Sequence, residues 1–328
     1  MPAPRSHGLP SPTICAVIVF AMLLMIAVPA ALTLHTVRIP GPLIPVIQNS
    51  SPYGYTVSLL LFIIPIVAIG VWLLPSEDLH IPRRAFVWTI LILVPLGFLL
   101  DVIFAQWFFD YRNTGATLGI LAPAFGPWVP LEEYVFYLTG FVVELLLYVW
   151  LGEFWVAAYN VVDYPAEARK TGRLLQFHLT SLIIAVVLIA AAVLYKKFFA
   201  PPEDRAGFPG YFTVLVIGGM LPAITFFREA RRFINWRAFS LTLFFMLLTS
   251  LLWEATLAVP YNWWNYQHPQ MMGIFIGAWS QLPLEAVFVW IAATYATVIV
   301  YEVIKVLLAS ERPVRETLLG TKQPQPSS

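Results

Sequence analysis

Apolar runs long enough to cross a bilayer recur along the whole sequence, separated by short segments rich in proline, glycine and charged residues. A transmembrane helix needs about 20 predominantly apolar residues. Only 11% of the residues are charged and 59% are hydrophobic, whereas soluble domains are about one quarter charged. The pattern predicts an all-α integral membrane protein with eight spans, at 14–35, 56–75, 86–107, 130–151, 176–199, 211–227, 238–259 and 283–308.

The basic residues are distributed unevenly between the two sides of this predicted bundle. Fourteen of the 19 fall on one side, and the other side holds Arg38, Arg112, Lys196, Lys197 and Arg205. Because positive charge is retained in the cytoplasm, we expect a protein of the bacterial cell membrane with both termini cytoplasmic. The predicted segments are a cytoplasmic N-terminus at 1–13, outward loops at 108–129 and 260–282, a cytoplasmic linker at 152–175 and a disordered tail at 309–328.

The first apolar run has a second interpretation. It follows Arg5 and contains the letters VPAA, so it also resembles a signal peptide with a cleavage site. We expect a retained helix, because the internal repeat described next requires it. Cys15, the single cysteine, lies in this run and excludes an intrachain disulfide.

The chain repeats itself at a shift of 153 residues. RAF at 84–86 returns at 237–239, and PLE at 130–132 returns at 283–285. An aromatic cluster precedes each PLE, and a glycine follows each cluster, although the two glycines are one residue out of register. The matches predict a tandem duplication with repeats at 14–151 and 176–308. Since each unit has four spans, both run in the same direction, about an axis along the membrane normal.

Each predicted repeat places one acid late in its third span and another at the start of its fourth. These acids are Asp101 and Glu132, followed by Glu133, in the first repeat, and Glu254 and Glu285 in the second. Acids inside a membrane are costly, face the bundle interior and mark functional positions. A capping role is the alternative for Glu132 and Glu285, because a carboxylate complements the dipole at a helix N-terminus. We interpret all five as candidate catalytic residues at one end of the membrane.

Such carboxyls can move protons. Burial beside other carboxylates favours the neutral acid, which can donate a proton, and an ionised neighbour can take one back. Glu144 lies eleven residues after Glu133, on the same helix face, and Thr297 holds the equivalent place in the second repeat. We leave open whether Glu144 lines a pocket or makes a buried polar contact.

Aromatic residues gather near these acids. Their ring faces could stabilise a cation, or they could form the aromatic belt of a membrane interface. The candidate substrate-binding aromatics are Trp107, Phe108, Tyr111, Phe136, Trp263, Trp264 and Tyr266. There is no dinucleotide-binding or P-loop motif, and no pair of histidines has metal-ligand spacing. We therefore expect no cofactor and no metal. A net charge of +1 argues against a nucleic-acid partner.

The sequence PLEEYVFYL, with the upstream Asp101, the letters WFFDY and Gly119, resembles the membrane-integral lycopene cyclases. These are the bacterial heterodimeric type and the domain fused to phytoene synthase in fungi. The likeness covers roughly 80–151 and 235–308, and it implies site residues Asp101, Glu132 and Glu133 in one half. Glu254 and Glu285 are implied in the other half, where Ala286 replaces the second glutamate.

The resemblance implies a redox-neutral cyclisation of a membrane-embedded carotenoid. Glu132 or Glu133 would protonate a terminal double bond, an internal double bond would close a six-membered ring, and a carboxylate such as Glu285 would remove a proton. The product would carry a β- or ε-ionone ring, and association with other enzymes of carotenoid biosynthesis is a further expectation. The alternatives are a carotenoid hydratase, another isoprenoid-modifying membrane enzyme and a proton-coupled transporter.

Overall fold

The computed structural model describes residues 52–75, 81–126 and 128–320, which form a bundle of long helices with short hairpins at one end. The helices are α1 (Gly54–Leu73), α2 (Arg83–Phe108), α3 (Leu131–Trp150), α4 (Tyr164–Lys170), α5 (Leu179–Leu194), α6 (Gly210–Ala230), α7 (Trp236–Trp253), α8 (Glu285–Ala309) and α9 (Val314–Leu319). The strands are β1 (Phe109–Asp110), β2 (Leu121–Ala122), β3 (Val129–Pro130), β4 (Asn265–Tyr266), β5 (Phe275–Ile276) and β6 (Leu282–Pro283).

Seven of these helices are long and apolar enough to cross a membrane within the described ranges. Three of them continue through a single π-helical turn, at Leu151–Trp155 after α3, Tyr195–Phe199 after α5 and Glu254–Ala258 after α7. The prediction of an all-α membrane protein is confirmed. The seven helices match the second to eighth predicted spans, while the first, at 14–35, lies outside the described residues.

The helices pack in matched pairs, as expected of a duplication. In the first repeat α1 and α2 both pack on α3, and in the second α6 and α7 both pack on α8. Across the repeats, α2 packs on α8 and α7 packs on α3. The rings of Tyr148 and Tyr301, which are equivalent at the shift of 153, meet with centroids 5.9 Å apart. The pseudo-two-fold axis therefore runs between α3 and α8.

The loops that follow α2 and α7 also match. Each loop contains a two-stranded antiparallel hairpin that leads directly into the next long helix, β2–β3 before α3 and β5–β6 before α8. The paired residues are Leu121 with Pro130 and Ala122 with Val129 in one hairpin, and Phe275 with Pro283 and Ile276 with Leu282 in the other. β1 and β4, from the same two loops, pair with each other and tie the repeats together.

Small residues bring two of the helices of the second repeat close together. A Cβ added to Gly219 of α6 would lie 2.9 Å from the Cβ of Ala292 on α8. Small residues at such crossings are typical of membrane proteins, where helix association depends on close packing. α6 and α8 accordingly form the most extensive helix contact among the described residues.

The tail is more ordered than the sequence predicts, and it contacts the linker. Part of the expected linker forms α4, and residues 314–319 of the expected disordered tail form α9. The N–H groups of Leu174 and Leu175 donate to the carbonyls of Thr317 and Leu318, at 2.9 and 3.0 Å. Because Thr317 is fully buried, the tail is docked on the linker through backbone hydrogen bonds. Residues 321–328 lie outside the described part of the chain.

Candidate functional site

Asp101 lies in the second half of α2 and is only 2% exposed. Neither of its carboxyl oxygens has a hydrogen-bond partner in the described part of the chain. Removing an ionised carboxylate from water without a partner is very costly. The apolar turns of α2 therefore hold an acidic group in an environment that penalises its charge.

Glu133 and Glu254 are also buried, and each is held by a tyrosine. The Tyr55 hydroxyl donates to Oε2 of Glu133 at 3.1 Å, and the Tyr266 hydroxyl donates to Oε2 of Glu254 at 2.5 Å. Glu254 is the first residue of the π-helical turn after α7, and such turns are frequent at functional sites. In both pairs the tyrosine donates to Oε2 of the glutamate and not to Oε1.

The tyrosines of the two loops remain hydrogen-bond donors at neutral pH. Burial, reinforced by the charge of Glu254, raises the pKa of Tyr266 well above its ordinary value. Burial likewise raises the pKa of Tyr111, with further contributions from the charges of Glu133 and Asp101. Tyr111, predicted as a binding residue, therefore lies close enough to two of the acids to interact with them electrostatically.

Two adjoining cavities lie among these acids. The inner cavity is lined by Glu133, Glu144 and Glu254, together with aromatic side chains. The side cavity has Asp101 in its lining. The two share the lining residues Phe109, Tyr137, Phe141, Tyr211, Val289 and Ala293. The two cavities therefore adjoin each other, and their linings together include four carboxyl groups.

The lining is apolar apart from these carboxyls and the aromatic hydroxyl and N–H groups. No lysine, arginine or histidine is among the described residues that line either cavity. An anionic ligand would therefore find negative groups and no cation to pair with. In the described ranges, no group of three or more histidine, cysteine, aspartate or glutamate side chains could hold a metal ion.

Glu132 and Glu285, two of the predicted catalytic residues, occupy equivalent places outside the lining of both cavities. Glu132 Oε1 accepts the N–H of Leu118 at 2.7 Å, and Glu285 Oε1 accepts the N–H of Met272 at 2.5 Å. Glu132 also accepts the Thr56 hydroxyl at 2.5 Å. These carboxylates connect the start of a long helix to the loop that precedes it, so the structure brings them near the site without placing them in it.

The sequence left open whether Glu144 lines a pocket or makes a buried polar contact, and in the structure it does both. It lines the inner cavity and is 1% exposed. The hydroxyls of Thr294 and Thr297 on α8 donate to its two oxygens, each at 3.0 Å. Because Thr297 is the equivalent of Glu144 in the second repeat, this hydrogen bond crosses the pseudo-two-fold axis.

Six of the seven predicted aromatic residues divide into three groups, and the seventh, Tyr111, lines neither cavity. Phe136, Trp264 and Tyr266 line the inner cavity, and Phe108 lines the side cavity. Trp263 is buried behind them, where its ring stacks on Tyr55 at a centroid distance of 5.6 Å. Trp107 is 60% exposed and lines neither cavity, so its position suits a membrane interface.

The sequence interpretation missed several lining residues, notably Tyr137, Tyr211 and Trp290. The repeat contained a signal for two of them, because Tyr137 and Trp290 are equivalent at the shift of 153. Both project from the first turns of α3 and α8 into the inner cavity. Tyr211 had no comparable signal, because it stands at the start of an ordinary apolar run.

The chain matches no model of a protein family, no curated protein and no solved structure. The interpretation of the site therefore depends on its own geometry and chemistry.

Proposed function

We propose that this protein is a carotenoid end-group cyclase that converts acyclic, lycopene-type ends into β- or ε-ionone rings. The observation that carries the proposal is the position of Asp101, Glu133 and Glu254 in the linings of two adjoining apolar cavities that share aromatic residues. We place the enzyme in the bacterial cell membrane, with both termini cytoplasmic, because of the distribution of its basic residues.

The reaction is an isomerisation that consumes no cofactor. A carboxylic acid adds its proton to the terminal carbon–carbon double bond and leaves a tertiary carbocation. The electron pair of an internal double bond then forms the ring bond, which moves the positive charge onto the ring. A carboxylate removes a proton from the adjacent carbon, and the C–H electrons form the ring double bond. One proton enters and one leaves, so the product has the mass of the substrate.

The surroundings of the acids suggest how the roles are divided. Asp101 has no hydrogen bond to stabilise its anion, which suits a proton donor. Glu133 accepts a hydrogen bond from Tyr55, which stabilises a carboxylate and suits the proton acceptor. Glu254, held by Tyr266, lines the same cavity as Glu133. Glu132 and Glu285 then act as positioning residues that hold the two loops.

The aromatic lining supports a cationic intermediate. Phe136, Trp264 and Trp290 line the inner cavity, and Phe136 and Trp290 meet edge to face at 5.7 Å. A cation over one such ring gains about 0.5–2 kcal/mol when water is excluded. These rings stabilise positive charge without a nucleophilic atom that would trap the carbocation.

The absence of basic side chains from the described cavity lining favours an uncharged hydrocarbon as the substrate. Enzymes that bind isoprenoid diphosphates require arginine, lysine or a metal ion for the phosphates. Neither cavity offers a basic side chain among its described lining residues. The lining carboxyls would repel an anion, whereas an apolar polyene end suits the rest of the surface.

Expression in a lycopene-accumulating host, followed by pigment chromatography and mass spectrometry, tests the proposal. Wild type should give cyclic carotenoids of unchanged mass, whereas Asp101→Asn and Glu133→Gln should leave lycopene acyclic at normal protein levels. Glu203→Gln is the matched control, because Glu203 is exposed and lines neither cavity. Full conversion by both cavity variants would overturn the assignment, and a product heavier by one water would indicate a hydratase.

A further inference from the structure

The side cavity reaches the surface of the bundle between α2 and α6. Leu96 of α2 lines it and is 48% exposed, and Gly218 of α6 lines it on the opposite side and is also exposed. A Cβ added to Gly218 would meet no atom within 4 Å. Both residues lie well inside membrane-spanning helices, so the surface they expose faces hydrocarbon and not water.

The gap exists because α2 and α6 do not pack closely on each other. Both helices pack on α8, but they make little contact with each other. Small residues in the cavity lining, such as Gly97 of α2 and Ala292 of α8, leave the space between α2 and α6 open. At Gly97 an added Cβ would lie 2.8 Å from the Phe141 ring, so this narrow part of the cavity has no room for a larger side chain.

The equivalent gap in the other half of the molecule is filled. Leu100 and Leu215 line the side cavity, and their equivalents at the shift of 153 are Trp253 and Phe62. The rings of Trp253 and Phe62 meet edge to face at a centroid distance of 5.7 Å. Tyr55 packs on Trp253 from the other side, at 6.0 Å. Two leucines on one side of the pseudo-two-fold axis thus correspond to two larger aromatic residues on the other. We call the pair Trp253 and Phe62 the aromatic plug.

We infer that the α2–α6 gap is the lateral entrance through which an acyclic isoprenoid end passes from the bilayer to the carboxyls, and that the plugged side admits none. This inference rests on the proposed function for the identity of the substrate. From the entrance the path runs past Leu100 to Asp101 and then to the shared residues Phe109 and Tyr211. With a single entrance in the described part of the chain, the two ends of a long carotenoid would be processed one after the other.

The plug itself supplies the variant that tests this entrance. The double substitution Leu100→Trp and Leu215→Phe installs on the open side the residue pair that the fold already accommodates on the closed side. The matched control is Leu99→Trp with Ile217→Phe, which adds similar bulk to the same two helices. Leu99 and Ile217 are 52% exposed and do not line the side cavity. Gly218→Trp is a second, independent way to obstruct the entrance.

Two readouts on protein in lipid nanodiscs separate entry from chemistry. Binding of lycopene is followed by the circular dichroism that a protein site induces in the polyene absorption band, and conversion is followed by chromatography. The plug variant and Gly218→Trp should lose most of the binding signal and of the initial rate, and the control should keep both.

The outcomes distinguish failure of the entrance from failure of the cyclase proposal. Wild-type protein that binds lycopene and forms no ring, with binding lost in the plug variant, would support the entrance and overturn the cyclase. A plug variant and a Gly218→Trp variant that both bind and convert as the control does would overturn the entrance alone. Wild type that neither binds nor converts lycopene would overturn both.

Discussion

At the scale of single residues, the buried carboxyls fall into two kinds. Glu132 and Glu285 each accept a backbone N–H from the preceding loop, whereas Asp101 has no hydrogen-bond partner in the described structure. The sequence predicted that all would converge, because each is an acid in or next to an apolar run. It could not separate the two kinds, since a carboxylate that caps a loop and one that faces a cavity both follow from the same spacing.

Removing the carboxyl of Glu285 should destabilise the second loop. In Glu285→Ala the buried N–H of Met272 loses its acceptor, which costs about 1–3 kcal/mol of unfolding free energy. Glu285→Gln keeps an amide oxygen at that place and should cost less. Thermal unfolding in detergent, with recovery followed by size-exclusion chromatography, measures both variants. Equal stability of wild type and Glu285→Ala would contradict the loop-holding role.

The tyrosine of the second loop should make the fold sensitive to alkali. Burial raises the pKa of Tyr266 above the ordinary value of 10.0, so its neutral form stabilises the folded state. This contribution is complete below pH 10 and is lost as the pH rises through the raised pKa of the folded state. Tyr266→Phe should therefore flatten the decline of stability above pH 10, as measured by thermal unfolding against pH. An unchanged slope in that variant would contradict the assignment.

At the scale of elements, the helices were predictable and the loops were not. The predicted second to eighth spans agree with the observed helices to within a few residues, because about 20 apolar residues dictate a membrane helix. The matched hairpins have no such signal, since each strand is only two residues long. The one-residue mismatch between Gly119 and Gly273 is accommodated in these loops. Both glycines adopt positive φ, at 72° and 91°, which a side chain disfavours.

The two glycines should differ in their tolerance of alanine. Each substitution forces alanine into a left-handed conformation, which costs about 1–2 kcal/mol. A Cβ at Gly119 meets no atom within 4 Å, whereas one at Gly273 lies 3.1 Å from Ala200 and 3.3 Å from Asp204. Gly273→Ala should therefore lower the unfolding temperature more than Gly119→Ala does. The reverse order in the same thermal assay would contradict this description of the second loop.

At the scale of the whole molecule, the internal sequence repeat shows what the sequence could predict and where prediction stopped. The shift of 153 residues predicted two parallel units, and the exchanged packing of α2 on α8 and α7 on α3 agrees with it. The inequivalence of the halves depends on side-chain volume at two apolar positions in each. Hydrophobic periodicity does not distinguish leucine from an aromatic residue, so neither the open gap nor its plugged counterpart could be predicted.

The packing of helices of one repeat on helices of the other also predicts that the chain can be expressed as two separate halves. Val162 is fully exposed in the linker, and a break there leaves every long helix intact. Co-expressed halves 1–161 and 162–328 should assemble, because α3 and α8 bury Tyr148, Tyr301 and Glu144 against each other. Either half alone would expose these surfaces, so an affinity tag on one half should recover the other from the membrane. Two well-expressed halves that purify separately would contradict a stable association of the repeats through α2, α3, α7 and α8.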